Sequence, residues 1–254
     1  MPEVTGRRVA APPLPWRMYE CVAMVLGLSA LALICLAWTP FALLLHPLLP
    51  ARWGRPLGRR AIMIGFRLYT WILQTLCACR FDLRAVDALA GEGGLVVVAN
   101  HPSLLDAVLI LSRLPNAVCV MKASLMRNWF FGAGARLAGY ITNDSPLSLI
   151  RQARGELRAG AQLVIFPEGT RTTRWPINPC QATAGVVAAR ARVPVQALLI
   201  HMSSPYLGKR WGLWNPPQLP LSVSVTAGRR LPPMARPGEF GAEIERYYQQ
   251  ELTS

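Results

Sequence analysis

Acidic side chains are scarce in this sequence. Asp and Glu together number 13 against 27 Lys and Arg, and charged residues make up only 16% of 254 positions. So little charge, beside 52% hydrophobic residues, excludes an intrinsically disordered chain. Lysine is nearly missing: Lys122 and Lys209 are the two, and arginine supplies the rest of the basic count. Histidine occurs three times, as His46, His101 and His201. None of the six cysteines forms a C-x-x-C pair, so no zinc ribbon or finger is implied. Four of them, Cys21, Cys35, Cys77 and Cys79, lie in apolar runs, where a free thiol behaves as a small hydrophobe. All six read as reduced, which agrees with a cytoplasmic location. No internal repeat is visible, and the 20 Gly and 22 Pro follow no period.

What is present is a net charge of +14 and a mean hydropathy of +0.29. A chain this basic needs an anionic partner. The apolar balance favours a membrane surface over nucleic acid. No nucleic-acid recognition motif is present, and the arginines gather beside apolar segments. A nucleic-acid partner is therefore not expected.

Residues 21–45 carry no charge. As a helix they would reach about 37 Å, more than a hydrocarbon core needs. Pro40 is expected to kink or end that helix. Arg7, Arg8 and Arg17 precede the run, and Arg52, Arg55, Arg59 and Arg60 follow it. A second apolar stretch, 61–79, is broken only by Arg67. Arginine on both sides fits a helical hairpin that dips into the cytoplasmic leaflet, and also a single crossing followed by an interfacial helix. Residues 1–80 thus read as membrane-anchoring helices, and 81–254 as a catalytic domain.

Beyond Arg80 short apolar runs alternate with helical stretches. Strands are expected over 95–99, 117–121, 140–142, 163–166 and 193–200, and an edge strand over 221–227. Helices are expected over 102–114, with Pro102 in its first turn, over 124–138 with Ser124 as N-cap, and over 146–159, 182–192 and 239–252. This alternation predicts an α/β fold: a mixed, largely parallel sheet flanked by helices.

Two clusters carry chemistry. Asn100, His101, Pro102, Ser103, Leu104, Leu105 and Asp106 follow the strand at 95–99. Five steps of a regular helix turn through about 500°, so His101 and Asp106 would not align within one helix. With His101 in the loop and Asp106 in the helix, the turn can bring carboxylate to imidazole. That carboxylate fixes the tautomer and leaves the other ring nitrogen as a general base. The second cluster, Phe166, Pro167, Glu168, Gly169, Thr170 and Arg171, follows the strand at 163–166. Loops at the carboxyl ends of parallel strands are where open α/β sheets bind ligands. Gly169 permits a tight turn, and Arg171 suits a phosphate. Glu168 would orient Arg171 or bond an acceptor hydroxyl. His46 reads as structural, and His201 as the end of a strand.

In this order the two clusters resemble the glycerolipid acyltransferase family, typified by bacterial 1-acylglycerol-3-phosphate acyltransferase. Asn100, His101 and Asp106 match its N-H-x4-D motif, and Phe166 to Arg171 match F-P-E-G-T-R throughout. Val193, Pro194 and Val195 match its V-P-V segment, and Lys122, Leu125 and Gly132 resemble its K-x-x-L block. The resemblance implies an N-terminal helical pair buried in one leaflet of the membrane, here the bacterial inner membrane with the catalytic domain on the cytoplasmic face. It also implies acyl transfer from acyl-CoA or acyl carrier protein to a lipid hydroxyl, most simply that of 1-acyl-sn-glycerol-3-phosphate. His101 would be the base and Asp106 its partner. Glu168, Gly169, Thr170, Arg171 and Lys122 would bind substrate, and no metal or other cofactor is implied. Oxyanion donors are expected among the backbone N–H groups that begin the helix after His101. One departure stands out. The family's second motif ends in an arginine that helps bind the acceptor phosphate, whereas this chain has Asn143 and Asp144 there. A lyso-ornithine lipid or an aryl-polyene-type lipid is the alternative acceptor, and a catalytically silent lipid-binding scaffold is the alternative of another class.

Overall fold

The structure, a computed structural model, describes residues 12–212 and 214–253. Arg7 and Arg8 of the N-terminal flank lie outside the described residues. Two helices come first, α1 (Leu14–Leu48) and α2 (Ala51–Leu76), joined by a short turn at Leu49 and Pro50. Then follow β1 (Cys79–Asp82), α3 (Arg84–Asp87), β2 (Leu95–Ala99), α4 (Leu105–Leu111), β3 (Ala117–Met121), α5 (Ala123–Arg127) and α6 (Trp129–Ala138). The chain ends with β4 (Ile141–Thr142), α7 (Pro146–Arg158), β5 (Gln162–Ile165), α8 (Thr183–Ala191), β6 (Val195–Met202), β7 (Leu221–Leu231) and α9 (Phe240–Glu251).

Seven strands form one sheet in the order β1-β7-β6-β2-β5-β3-β4, parallel throughout except for the antiparallel pair β6 and β7. β2 is buried at all five positions because both faces of the sheet are covered, as an unbroken Leu-Val-Val-Val-Ala run requires. One core packs Val97, Leu109, Leu198 and Leu221 on one face, and a second packs Val98, Leu163, Val187 and Phe240 on the other.

Several elements depart from the sequence expectation. β7 alternates buried and exposed residues yet lies inside the sheet, because one of its faces is open to solvent. The edge on that side is β1, whose polar Arg80 and Asp82 hide it from an apolar-run reading. The helix expected from Pro102 begins only at Leu105. The helix expected over 124–138 is broken at Asn128, whose Oδ1 accepts the Phe130 N–H at 2.8 Å and so starts α6 afresh. Lys122, not Ser124, stands at the cap of α5. Pro40 does not end α1, which continues through Pro40 and Pro47. Tertiary contacts compensate for the lost ladder bond: Thr39 Oγ1 lies 3.1 Å from the Phe130 carbonyl, and Ala42 packs against Ala133 and Leu137 of α6.

α2 is locked to the domain by a buried ion network. Arg59 donates through Nε to the Ala138 carbonyl at 3.0 Å, through Nη1 to Asn116 Oδ1 at 2.7 Å and through Nη2 to Glu156 at 2.5 Å. Arg55 bonds the other oxygen of Glu156. Removing one member strands a buried carboxylate beside a single partner. Arg59→Ala should therefore destabilise the fold by about 3–5 kcal/mol, read by denaturant unfolding in detergent. An unchanged midpoint would mean that α2 is not held by this network.

Candidate active site

β2, β5 and β3 run parallel and adjacent, so the loops after Ala99, Ile165 and Met121 emerge at one edge of the sheet. That edge holds His101, the 166–171 turn and Lys122. Asn100 fixes the first loop by reaching β6: its Nδ2 donates to the Ile200 carbonyl at 2.9 Å, and its Oδ1 accepts the Ile200 N–H at 2.8 Å.

The turn at 102–104 then folds Asp106 back onto His101. Asp106 Oδ2 lies 2.9 Å from His101 Nδ1 and accepts the Ser103 N–H at 2.7 Å. An oxygen already accepting from an amide leaves Nδ1 the donor role, so the proton sits on Nδ1 and Nε2 carries the lone pair. Asp106 is wholly buried, whereas the His101 side chain is 16% exposed, enough for a substrate hydroxyl to reach it. Burial pushes the Asp106 carboxyl up; the hydrogen bond and charge of His101 oppose that rise. The imidazole also stacks on Phe166, with ring centroids 4.0 Å apart and planes 17° from parallel. Carboxylate and ring together fix its orientation.

Glu168 has a different place from the one expected. It is buried, and its carboxylate is taken up by the protein: Oε1 accepts the His101 N–H and the Thr172 hydroxyl, both at 2.8 Å, and Oε2 accepts the Asn178 N–H at 3.0 Å. The Thr172 N–H donates in turn to the His101 carbonyl at 2.7 Å. Glu168 thus clasps the His101 loop to its own turn. Gly169 makes that turn possible with φ +65°, where a Cβ would meet the Gln181 side chain at 3.0 Å. Arg171 commits Nη1 to the carbonyls of Leu207 and Gly208, at 2.8 and 3.0 Å. The residue as a whole is half-buried. Thr170 Oγ1 accepts from Lys209 Nζ at 3.0 Å. Lys122 is exposed at the cap of α5.

Three of the amides around the start of α4, expected as oxyanion donors, are engaged. Ser103 N–H goes to Asp106, Leu104 N–H to the Leu207 carbonyl at 3.2 Å, and Leu105 N–H to Ser103 Oγ at 3.1 Å. Sequence reasoning also overlooked Lys209, Phe166 as a ring partner, and Thr172 and Asn178 as braces. Of these, only Phe166 left a signal, as the residue directly after a buried strand beside the His101 loop. His201 lies within β6, exposed and opposite Ser224 of β7. Among the described residues no group of three or more His, Cys, Asp or Glu is placed to hold a metal ion.

Comparison with known proteins agrees with this geometry. Residues 80–201 match the family model described as Acyltransferase. The chain is 28% identical to the 1-acyl-sn-glycerol-3-phosphate acyltransferase of Helicobacter pylori over 49% of its own length and 57% of that protein's. It is 30% identical to the lyso-ornithine lipid O-acyltransferase of Pseudomonas aeruginosa over 70% of its own length and 66% of that protein's. The alignments therefore take in little more than half to just under two thirds of these relatives. In fold, the chain is similar to the crystal structure of the 1-acyl-sn-glycerophosphate (LPA) acyltransferase PlsC from Thermotoga maritima, with TM-score 0.66 and 18% identity over 93% of this chain and 97% of that one. The H-x4-D and F-P-E-G-T-R clusters meet at one sheet edge within the segment that matches the Acyltransferase model, and in sequence the chain is similar to the glycerolipid acyltransferases.

Proposed function

We propose that the protein transfers a fatty acyl group from an acyl thioester, acyl-CoA or acyl carrier protein, to the hydroxyl of a lysolipid, with 1-acyl-sn-glycerol-3-phosphate as acceptor and phosphatidic acid as product. The bond between Asp106 and the inner nitrogen of His101 carries this reading, because it leaves Nε2 basic. Nε2 takes the hydroxyl proton as the oxygen attacks the thioester carbonyl. The C–S bond then breaks, and the proton passes from His101 to the departing thiolate. Protein nucleophiles are unnecessary because the thioester is already activated. The guanidinium of Arg171, with Lys209 and Lys122, suits the phosphate of acceptor or donor. With the Ser103, Leu104 and Leu105 amides engaged, and the Gly169 N–H bonded to the Phe166 carbonyl at 3.0 Å, we assign the oxyanion's donors to the Thr170 and Arg171 N–H groups.

Residues 1–80 anchor the enzyme and 81–254 carry the chemistry. By length and composition α1 is the one described helix able to cross a membrane. A hairpin dipping into one leaflet fits its attachments better. Near its start Trp16 Nε1 donates to the Leu219 carbonyl at 3.3 Å, and Glu20 accepts the Leu219 N–H at 3.0 Å. Near its end Thr39 meets Phe130 of α6. These ties lie about 28 Å apart along the helix, so α1 could not stand across a bilayer without drawing the sheet in with it. Met18, Val25 and Leu36 of α1, with Trp53, Ile64 and Trp71 of α2, expose large apolar side chains suited to the acyl layer.

A second acceptor, a lyso-ornithine lipid, is favoured by Asp144 in place of the family arginine. Its carboxylate is held low by the Thr142 hydroxyl and suits a cationic head group. The test is product analysis by mass spectrometry, with a palmitoyl thioester and each lysolipid in turn. Phosphatidic acid is expected. Acylation of lyso-ornithine lipid alone would replace the acceptor and keep the chemistry. No product from a folded protein with any acceptor would sink the reading.

A further inference from the structure

A cavity of about 610 Å³ opens beside the α1–α2 turn, lined by His46, Arg55, Arg136, Thr142, Arg151 and Glu156 among others. Its lining includes neither His101 nor any residue of the 166–171 turn. The cavity borders β4, and β4 is three strands from β2 in the sheet. Three strand spacings are about 14 Å. Gly139 and Tyr140 precede β4, and Gly155 and Ala159 precede β5, so most of the cavity lies toward the starts of these parallel strands, whereas His101 follows the end of β2; we take the cavity to be separate from the acceptor's phosphate subsite.

Its charge is one-sided. Three arginines line it against one carboxylate, Glu156. That carboxylate is already shared between Arg55 and Arg59. Two of the arginines are held in place by neighbours in the cavity wall. Arg136 Nη1 donates to the Met126 carbonyl at 2.7 Å. The Arg55 stem lies across Gly139, whose φ of +69° and absent Cβ admit it; a Cβ there would be 3.0 Å from Arg55 Cδ. Arg151 is exposed on α7. Preset guanidinium groups facing an open cavity form a phosphate receptor. The cavity also sits next to the apolar surface: Leu44, Leu48 and Trp53, on either side of the same turn, are exposed, and the Arg52 guanidinium lies 4.7 Å from the Trp53 ring centre. A ligand with a phosphate in the cavity and acyl chains beside that turn satisfies both features.

We infer that this cavity holds the phosphate of an anionic membrane phospholipid, separate from the substrates, and so fixes how the α1–α2 turn rests on the bilayer. The inference does not depend on the acyl-transfer reading, and its test reads binding alone. Full-length protein in detergent would be examined by native mass spectrometry with phosphatidylglycerol, phosphatidylcholine or inorganic phosphate. One phosphatidylglycerol should be retained in preference to phosphatidylcholine, and inorganic phosphate should not displace it at equal concentration. Arg136→Gln with Arg151→Gln should lower its occupancy about tenfold. Arg151→Gln alone, on an exposed helix position, should give a smaller loss in a protein of unchanged stability. Arg246→Gln on α9 serves as the charge control and should change nothing. Equal retention of both lipids, equal loss in the Arg246 control, or displacement by inorganic phosphate would each overturn the inference.

Discussion

His101→Ala should lower turnover by about 10²–10⁴-fold while leaving the protein folded and able to bind vesicles. The geometry of the imidazole at the sheet edge is set from two sides, by Asp106 through Nδ1 and by Phe166 through its ring face. Asp106→Asn tests the first of these supports. The amide keeps an acceptor for the His101 and Ser103 N–H groups but cannot stabilise an imidazolium. A fall approaching that of His101→Ala is expected, and the double variant should be little worse than either single one, because the two residues act as a unit. Stability should respond differently. Burial raises the Asp106 carboxyl above its value in the unfolded chain, so the ionised form opposes folding. That penalty is absent below the ordinary carboxylate range and complete above the raised folded value. Asp106→Asn removes it, at the cost of an amide nitrogen where Oδ1 already has no partner among the described residues. The change in unfolding free energy should stay within about 1 kcal/mol. Turnover lost at nearly constant stability is the signature of a group kept for chemistry; a collapse of both together would make Asp106 a structural residue.

The parts of this site that were legible share one property: their physical cause is local. Leu95–Ala99 and Ala117–Met121 coincide with their expected strands residue for residue, because buried parallel strands read as uninterrupted apolar runs. The meeting of His101 and Asp106 follows from a loop-to-helix turn within seven residues. What escaped notice depends on distant partners. Lys209 reaches Thr170 from a loop 39 residues further on, and Glu168 is turned inward by Asn178 and by the His101 amide. A glutamate beside an arginine in a turn reads as a surface pair until the buried donors facing it are known. β1 was hidden because a four-residue edge strand needs only its neighbour's ladder, here β7, and no apolar run. Pro40 was expected to kink or end α1; the helix does not end there, and packing against α6 accompanies its continuation.

Glu168→Ala should be the most damaging single substitution near the site for stability, at about 3–5 kcal/mol, because three donors lose their acceptor in a buried region. Two of them, the amides of His101 and Asn178, belong to loops that Glu168 joins, and the Thr172 N–H to His101 carbonyl bond is a second link between them. Activity should fall with stability, since the His101 backbone is then held only by its neighbours in the turn and by Thr172. Glu168→Gln separates this bracing role from direct contact with substrate. One amide oxygen can still serve the His101 N–H and the Thr172 hydroxyl, while the amide nitrogen is forced against the Asn178 N–H. The expected order is wild type above Gln above Ala in both unfolding midpoint and kcat, with KM for the lysolipid nearly constant. A carboxylate that bonded an acceptor hydroxyl would behave otherwise: the glutamine variant would keep its midpoint and raise KM. Measuring the three proteins by denaturant unfolding and steady-state kinetics decides between the two, and the three protein donors already occupying both oxygens favour the brace.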